Sequence, residues 1–270
     1  MISIITAVHN KLHVNRFFYN FLKKNTKVPF ELIIIDNNSK DGSREFFLKV
    51  ADRIILNNNN YSFPYCQNQG IKISKYDYLA FFNNDLLVSK GWDTKILNII
   101  NKKNIDVISF ATNDHTENRL SQKKIQRKWK WIKYPVKLLL GINYFSLKIM
   151  INLTYGDFDK FCEKRYVRFV DETIEGYSGS CILMKKSVID KIGLWDERIQ
   201  KADFDLFNRV KTRSIEQKDI KPVQLAIGVY MHHFKGLTTD FEPFADKDNL
   251  IKLDEKWGKK TSYLRKDIIG

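Results

Sequence analysis

Tyr78-Leu-Ala-Phe-Phe-Asn-Asn-Asp85 is an apolar run that ends in a carboxylate, and its reading decides the fold. A run of this length bounded by turn residues is a buried strand, and a charge at its carboxyl end needs a partner that offsets the cost of leaving water. Capture of a metal ion is the obvious role. The same layout occurs upstream in Phe30-Glu-Leu-Ile-Ile-Ile-Asp36, which is followed by the turn-rich Asn37-Asn-Ser-Lys-Asp-Gly42. Two strands thus bring two acids to one sheet edge.

Outward from these strands, residues 2–8 form another strand-like run, and Val14, Phe17, Phe18, Phe21 and Leu22 then repeat with the spacing of an amphipathic helix. The two strands centre on 32–35 and 76–82, and further strands are expected at 53–56 and 106–110, with helices over 44–50, after Pro64 and from Gly91-Trp92 onward. Strands alternating with helices predict an α/β chain with a Rossmann-like, mostly parallel sheet and helices on both faces. Ligands of such sheets bind beyond the carboxyl ends of the strands. Residues 6–10, Asp36 and Asp85 all fall there, and short right-handed crossovers bring those ends together.

With 270 residues and 43% hydrophobic content, the chain is long enough for one large domain with an insert. Its 46 basic and 31 acidic residues leave a net charge of +15, which points to a polyanionic partner: nucleic acid, anionic lipid or a phosphorylated substrate. Cys66, Cys162 and Cys181 are odd in number and widely spaced, which argues against a disulfide framework or a zinc site and fits a reducing cytosol. Met1-Ile-Ser-Ile-Ile-Thr-Ala-Val8 has no basic leader before its apolar run and reads as a first strand rather than a signal peptide. No segment has the length and apolarity of a membrane span. The expected location is cytoplasmic, with peripheral attachment to the inner face of a membrane.

Attachment is suggested by the middle of the chain. Residues 118–156 contain no acid but carry nine positive charges, at Arg119, Lys123, Lys124, Arg127, Lys128, Lys130, Lys133, Lys137 and Lys148. Trp129, Trp131, Tyr134, Leu138, Leu139, Leu140, Tyr144, Phe145 and Met150 are interleaved with them, as in an interfacial segment. Three readings stand side by side: a solvated helical hairpin, an anionic membrane surface over residues 119–150 that brings a lipid-linked acceptor to the protein, and nucleic-acid stacking. No nucleic-acid-binding module accompanies the insert, so nucleic acid is not the expected partner. After it, strands at 179–184 and 223–231 and helices at 187–192 and 204–211 restore the alternation. The chain divides into 1–113, a basic aromatic insert at 114–175, a second half of the same domain at 176–240 and a tail at 241–270.

The motifs, in order, are Ser3-Ile-Ile-Thr-Ala-Val-His-Asn10, Ile33-Ile-Ile-Asp-Asn-Asn-Ser-Lys-Asp-Gly-Ser43, Asn68-Gln-Gly-Ile71 and Phe82-Asn-Asn-Asp85. Gly179-Ser-Cys-Ile-Leu, Ile192-Gly-Leu-Trp-Asp-Glu197, Ala202-Asp-Phe-Asp-Leu206 and His232-His-Phe-Lys-Gly-Leu-Thr238 follow. This series resembles family 2 glycosyltransferases of the GT-A fold, in particular bacterial enzymes of surface-polysaccharide synthesis of the rhamnosyltransferase-like kind. It covers residues 1–113 and roughly 176–240 and leaves the insert outside. The resemblance implies transfer of a sugar from a nucleoside diphosphate donor, a UDP- or dTDP-sugar, to a hydroxyl of a glycan or lipid-linked acceptor. Inversion at the anomeric carbon and a divalent metal, Mn²⁺ or Mg²⁺, are implied with it.

Roles carry over residue by residue. Asp36 matches the acid that receives the donor's base or ribose, and its other reading is a turn-capping Asp. Thr6, Val8 and Asn10 match the nucleoside-contacting end of the first strand, Asn68 an Asn on the third helix. Asn83-Asn84-Asp85 matches an Asp-x-Asp position with Asn first, leaving Asp85 as the main metal carboxylate, since Mg²⁺ and Mn²⁺ prefer hard oxygen donors. Asp203 matches the general base that takes the acceptor's proton, but Ala202 stands where the pattern has Glu. His232 and His233 match a histidine motif at the metal or diphosphate site, and the sequence does not say which ring points inward. The missing acid at Ala202 leaves a rival open, a non-catalytic nucleotide-binding protein of GT-A type; the charge leaves another, a basic nucleic-acid-binding protein.

Overall fold

The computed structural model describes residues 1–238 and 242–258, so residues 241 and 259–270 of the tail expected at 241–270 lie outside the described residues. The chain opens with β1 (Ile2–Val8), α1 (Leu12–Asn25), β2 (Phe30–Asn37), α2 (Ser43–Val50), β3 (Arg53–Asn57), α3 (Phe63–Ile73) and β4 (Tyr78–Phe82). It continues through β5 (Leu86–Val88), α4 (Trp92–Lys103) and β6 (Val107–Ala111) into α5 (Arg119–Leu140), α6 (Tyr144–Tyr155) and α7 (Phe158–Arg168). The last part comprises β7 (Thr173–Glu175), β8 (Cys181–Lys185), α8 (Val188–Ile192), α9 (Ala202–Glu216), β9 (Gln224–His233) and α10 (Leu253–Trp257).

The sheet order is β3-β2-β1-β4-β8-β6-β9-β5, with β7 paired to β9. β3, β2, β1 and β4 are mutually parallel, β8 runs against both β4 and β6, and β9 runs with β6. β5 and β7 oppose β9, so the sheet is mixed and mostly parallel. Its central strands are apolar at nearly every position because helices cover both faces and a strand alternates its side chains between them. Ile4, Ile34 and Phe82 face α1 and α4 in one core, while Ile5, Ile33 and Phe81 face α3 and α9 in another. Close contact helps to seat α3 on β1: a Cβ on Gly70 would lie 2.3 Å from Ile5 Cγ2.

The insert is helical and packs on the sheet edge. Trp129, Val136, Leu147, Met150 and Phe158 join Phe17, Tyr230 and Phe234 in a third apolar cluster. β8 runs antiparallel to β4 and β6, so its amino end lies beside their carboxyl ends, on the edge where β1, β2 and β9 also end. Asn83 N–H donates to Ser180 O at 3.0 Å across that junction. The three cysteines are buried and free. No described helix is long and apolar enough to cross a membrane.

Candidate active site

At this edge β9 carries His233 opposite Leu86, the residue after Asp85. His233 Nε2 lies 3.2 Å from Asp85 Oδ1, and Nδ1 lies 2.7 Å from Asp114 Oδ2, just past the end of β6. Lys235 Nζ reaches Asp114 Oδ1 at 3.1 Å. Asn113 locks the strand end in both directions, accepting from His233 N–H at 2.7 Å and donating to His233 O at 3.0 Å. Burial opposes charge on the imidazole, but Asp85 and Asp114 outweigh it and push the ring up to about 10. Burial likewise opposes ionisation of Asp85, and His233 and a Thr238 hydroxyl 2.7 Å from Oδ2 more than offset it, holding the carboxyl below its usual range. Oδ1 of Asp85 is buried, with the His233 ring as its ion-pair partner.

Two cavities open above this chain of charges. One, of about 300 Å³, is lined by Ala7, Val8, His9, Asn37, Tyr61 and Asn84, among others. The other, of about 450 Å³, is lined by Asp114, His115, Gly179, Asp203, His233 and Lys235, among others. Asn83 and Phe63 line both, so the cavities adjoin. Asp203 stands in the first turn of α9. It sits over Gly179, where an added Cβ would come within 2.0 Å of Asp203 Oδ2; the absence of a side chain there makes room for the carboxylate. Ala202, next to it, turns into the apolar core beside Trp195 and Leu206. The position that carries Glu in the family pattern is therefore a core position in this chain.

The structure brings Val8, Asn83, Asn84, Asp203 and His233 to the cavity walls, with Asp85 just beneath them. Thr6 is fully buried in β1 and lines neither cavity. Asn10 knots the β1–α1 turn, its N–H donating to Ser39 Oγ and its Oδ1 accepting from Lys40 N–H, both at 2.8 Å. Asp36 is buried, with Arg44 Nε 2.7 Å from Oδ2 and Oδ1 left without a partner. Asn37, the next residue, reaches the cavity instead.

Two further residues stand apart from the cavity walls. Asn68 does not face the cleft: its amide donates to Trp195 O at 2.9 Å and to Glu197 Oε1 at 2.8 Å, and its Oδ1 accepts from Trp195 N–H at 3.0 Å. It is a buried tether between α3 and the segment before α9. His232 points away from His233 because neighbours on a strand face opposite sides. It packs edge-on against Trp129 at 4.4 Å, with Nδ1 on the Tyr155 hydroxyl at 2.8 Å. Burial there, followed by the charge on His233, drives its pKa down to about 3, so the ring is neutral.

Sequence reasoning missed Asp114, although Val107-Ile-Ser-Phe-Ala-Thr-Asn-Asp114 repeats the strand-then-acid layout of Asp36 and Asp85. It also missed His9, whose Nδ1 lies 2.6 Å from Asn37 O and whose Nε2 lies 2.9 Å from Glu242 Oε2. Nothing local marks that contact, because Glu242 is far along the chain. Asn15 is a third omission: it accepts from Asn84 Nδ2 at 2.7 Å and donates to Ser43 Oγ at 2.8 Å, fixing the outer cavity wall from α1.

The fold recurs in solved structures of low sequence identity. S. aureus TarS superposes with a TM-score of 0.54 at 12% identity, over 86% of this chain and 36% of TarS. A mannosyltransferase from Pyrobaculum calidifontis, PcManGT, in complex with GDP-Man and Mn²⁺, superposes with a TM-score of 0.50 at 10% identity, over 83% of this chain and 56% of that one. The chain thus spans about a third of TarS and little more than half of PcManGT. No curated protein sequence matches it. The family model for glycosyl transferase family 2 matches residues 3–193, across both sheet halves and the insert, and the chain, with its GT-A fold, belongs to that family.

Proposed function

We propose that the chain transfers a sugar from a nucleoside diphosphate donor to an acceptor hydroxyl, with inversion at the anomeric carbon. The observation that carries this reading is the pair of adjoining cavities that share Asn83. One is bounded by the ends of β1 and β2, the other by Asp203. The donor's nucleoside lies in the first cavity beside Val8 and Asn37, with Asp36 behind it, and its diphosphate lies over Asn83, Asn84 and Asp85. The acceptor enters the second. Asp203 takes the proton of the acceptor hydroxyl as the oxygen attacks the anomeric carbon, and the carbon–oxygen bond to the diphosphate breaks with its electron pair leaving on the phosphate. Lys235 presents positive charge to the departing anion.

A divalent cation, Mn²⁺ or Mg²⁺, fits this set. Asp85 Oδ1 is buried and faces His233 Nε2 at 3.2 Å, and a cation would replace the proton between them. That separation suits two ligands on one cation, and Asp114 on Nδ1 supplies the carboxylate–histidine support that metal-binding rings usually have. Asp85 and His233 would hold the ion, and diphosphate and water oxygens would complete its shell, since no described group of three or more His, Cys, Asp or Glu side chains forms a metal site. The ion would supply charge against the departing diphosphate. PcManGT, which shares the fold, was solved with GDP-Man and Mn²⁺. For this chain we favour a UDP- or dTDP-sugar donor and a glycan or lipid-linked acceptor in surface-polysaccharide synthesis, on the order of its motifs.

The test pairs binding with turnover. UDP or dTDP with Mn²⁺ is expected to raise the unfolding temperature, by up to about 2.7 kcal/mol of added stability at a hundredfold excess over Kd. Asp203→Asn is expected to keep this shift and to lose transfer and donor hydrolysis. An active Asp203→Asn protein would remove Asp203 as the base, and the absence of any nucleotide-dependent shift in the parent protein would remove the donor site.

A further inference from the structure

Leu120, Lys124, Arg127, Trp131, Tyr134 and Leu138 follow one another along α5 at steps of three and four residues, so they form a single stripe along the helix. The stripe faces water. Leu120 is 82% exposed, Trp131 81% and Leu138 85%, and Leu139 and Phe145 extend the apolar surface around the turn into α6. Lys123, Lys130 and Lys137 flank the stripe on one side, and Lys124 and Arg127 stand within it. Among the described residues none of these cations forms an ion pair, and residues 118–156 contain no acid. A monomer seldom exposes so many large apolar side chains along one helix without a partner, here with Lys124 and Arg127 set among them.

We infer that this outer face of α5 is a docking surface for an anionic lipid bilayer, with the Leu120–Leu138 ridge sunk at the headgroup boundary and the flanking lysines on lipid phosphates. The chemistry selects this occupant. Phosphate-rich nucleic acid would use the cations and the aromatic rings but gains nothing from Leu120, Leu138 and Leu139, whereas a bilayer uses both sets. A second copy of the chain is disfavoured because the copies are alike in charge, at +15 each. The ridge spans about 27 Å at the usual helical rise, enough to lie flat along a membrane.

The opposite face of α5 gives the docking a consequence. Trp129 packs on His232 and on Phe234 at 5.7 Å, and Lys133 Nζ donates to Lys235 O at 3.0 Å. One side of the helix thus meets the bilayer while the other holds the loop that carries His233, Lys235 and Thr238, so the cleft opens close to the membrane surface. This inference goes beyond the proposed reaction and does not depend on it.

The test is co-sedimentation of the full chain with phosphatidylglycerol-rich vesicles, with pure phosphatidylcholine vesicles and with a single-stranded RNA oligonucleotide. Binding is expected to the anionic vesicles, to weaken with added salt and to be lost on phosphatidylcholine. The double variant Trp131→Ser/Leu138→Ser, altered only at exposed positions, is expected to lose at least about tenfold in vesicle affinity. Its unfolding temperature and its response to UDP and Mn²⁺ are expected to match the parent, which separates this result from any failure of the nucleotide site. A parent protein that stays in the supernatant, a variant that binds as the parent does, or binding to RNA without binding to vesicles would overturn the inference.

Discussion

Gly179 and Asp203 lie so close that one methyl group at 179 would displace the carboxylate. An alanine Cβ at 179 would lie 2.0 Å from Asp203 Oδ2, so the carboxylate must move, and a shift of about 1 Å at a reacting group can cost on the order of a hundredfold in rate. Gly179→Ala is therefore expected to lower transfer at least that much while leaving nucleotide-dependent stabilisation in place, as read by a transfer assay beside a melting curve. Asp114 acts through another residue: it holds the His233 ring from Nδ1 at 2.7 Å. Asp114→Asn keeps the shape but removes the charge that orients the ring, and a supporting carboxylate of this kind is worth about 10–100-fold in metal affinity. The expected outcome is a Mn²⁺ titration displaced by that factor, with nucleotide binding in the absence of metal unchanged. At this scale the sequence was uneven. Asp85 and Asp203 were legible because each stands at a position its element defines, a strand end and a helix start. The choice between His232 and His233 was not, because the phase of β9 depends on pairing with β5, nor was the place of Asn68, because a buried tether and a ligand-binding amide look alike along a chain.

Elements were read with similar unevenness, for a physical reason. Long, strongly patterned elements such as β1, β2, α1 and β9 announce themselves by periodicity. β5, three residues long and directly after Asp85, is created by a partner strand far along the chain, and β7 is likewise held by β9. α9 begins at Ala202 and runs to Glu216, well past the expected 204–211, because Asp203 and Asp205 suit the first turn of a helix and Arg213 its last. The segment between α8 and α9 depends on a neighbouring element for its position. Asn68 on α3 makes three hydrogen bonds to Trp195 and Glu197, and its loss would leave buried Trp195 backbone groups without partners. Asn68→Ala is expected to cost about 2–4 kcal/mol and to lower the unfolding temperature on the order of 5–10 °C. An unchanged melting temperature would show that the tether carries no stability.

Across the whole molecule, the sheet order converts motifs scattered over the sequence into one edge. The reversal at β8 is what lets Ser178, Gly179 and Asp203 face the ends of β4 and β6. The class of fold followed from the alternation of strands and helices, but the mixed β8-β6-β9-β5 half did not, because antiparallel pairing between distant segments leaves no local mark. The excess charge and its concentration in residues 118–156 were visible in the sequence, whereas the exposed ridge on one face of α5 needed the helix itself.

Donor, cation and base are expected to meet at this edge. A crystal structure of the protein with UDP or dTDP and Mn²⁺ tests it most directly. The ion is expected about 2.1 Å from Asp85 Oδ1 and from His233 Nε2, with the diphosphate over Asn83 and Asp203 on the open side. Nucleotide bound elsewhere, or an ion that touches neither Asp85 nor His233, would contradict it.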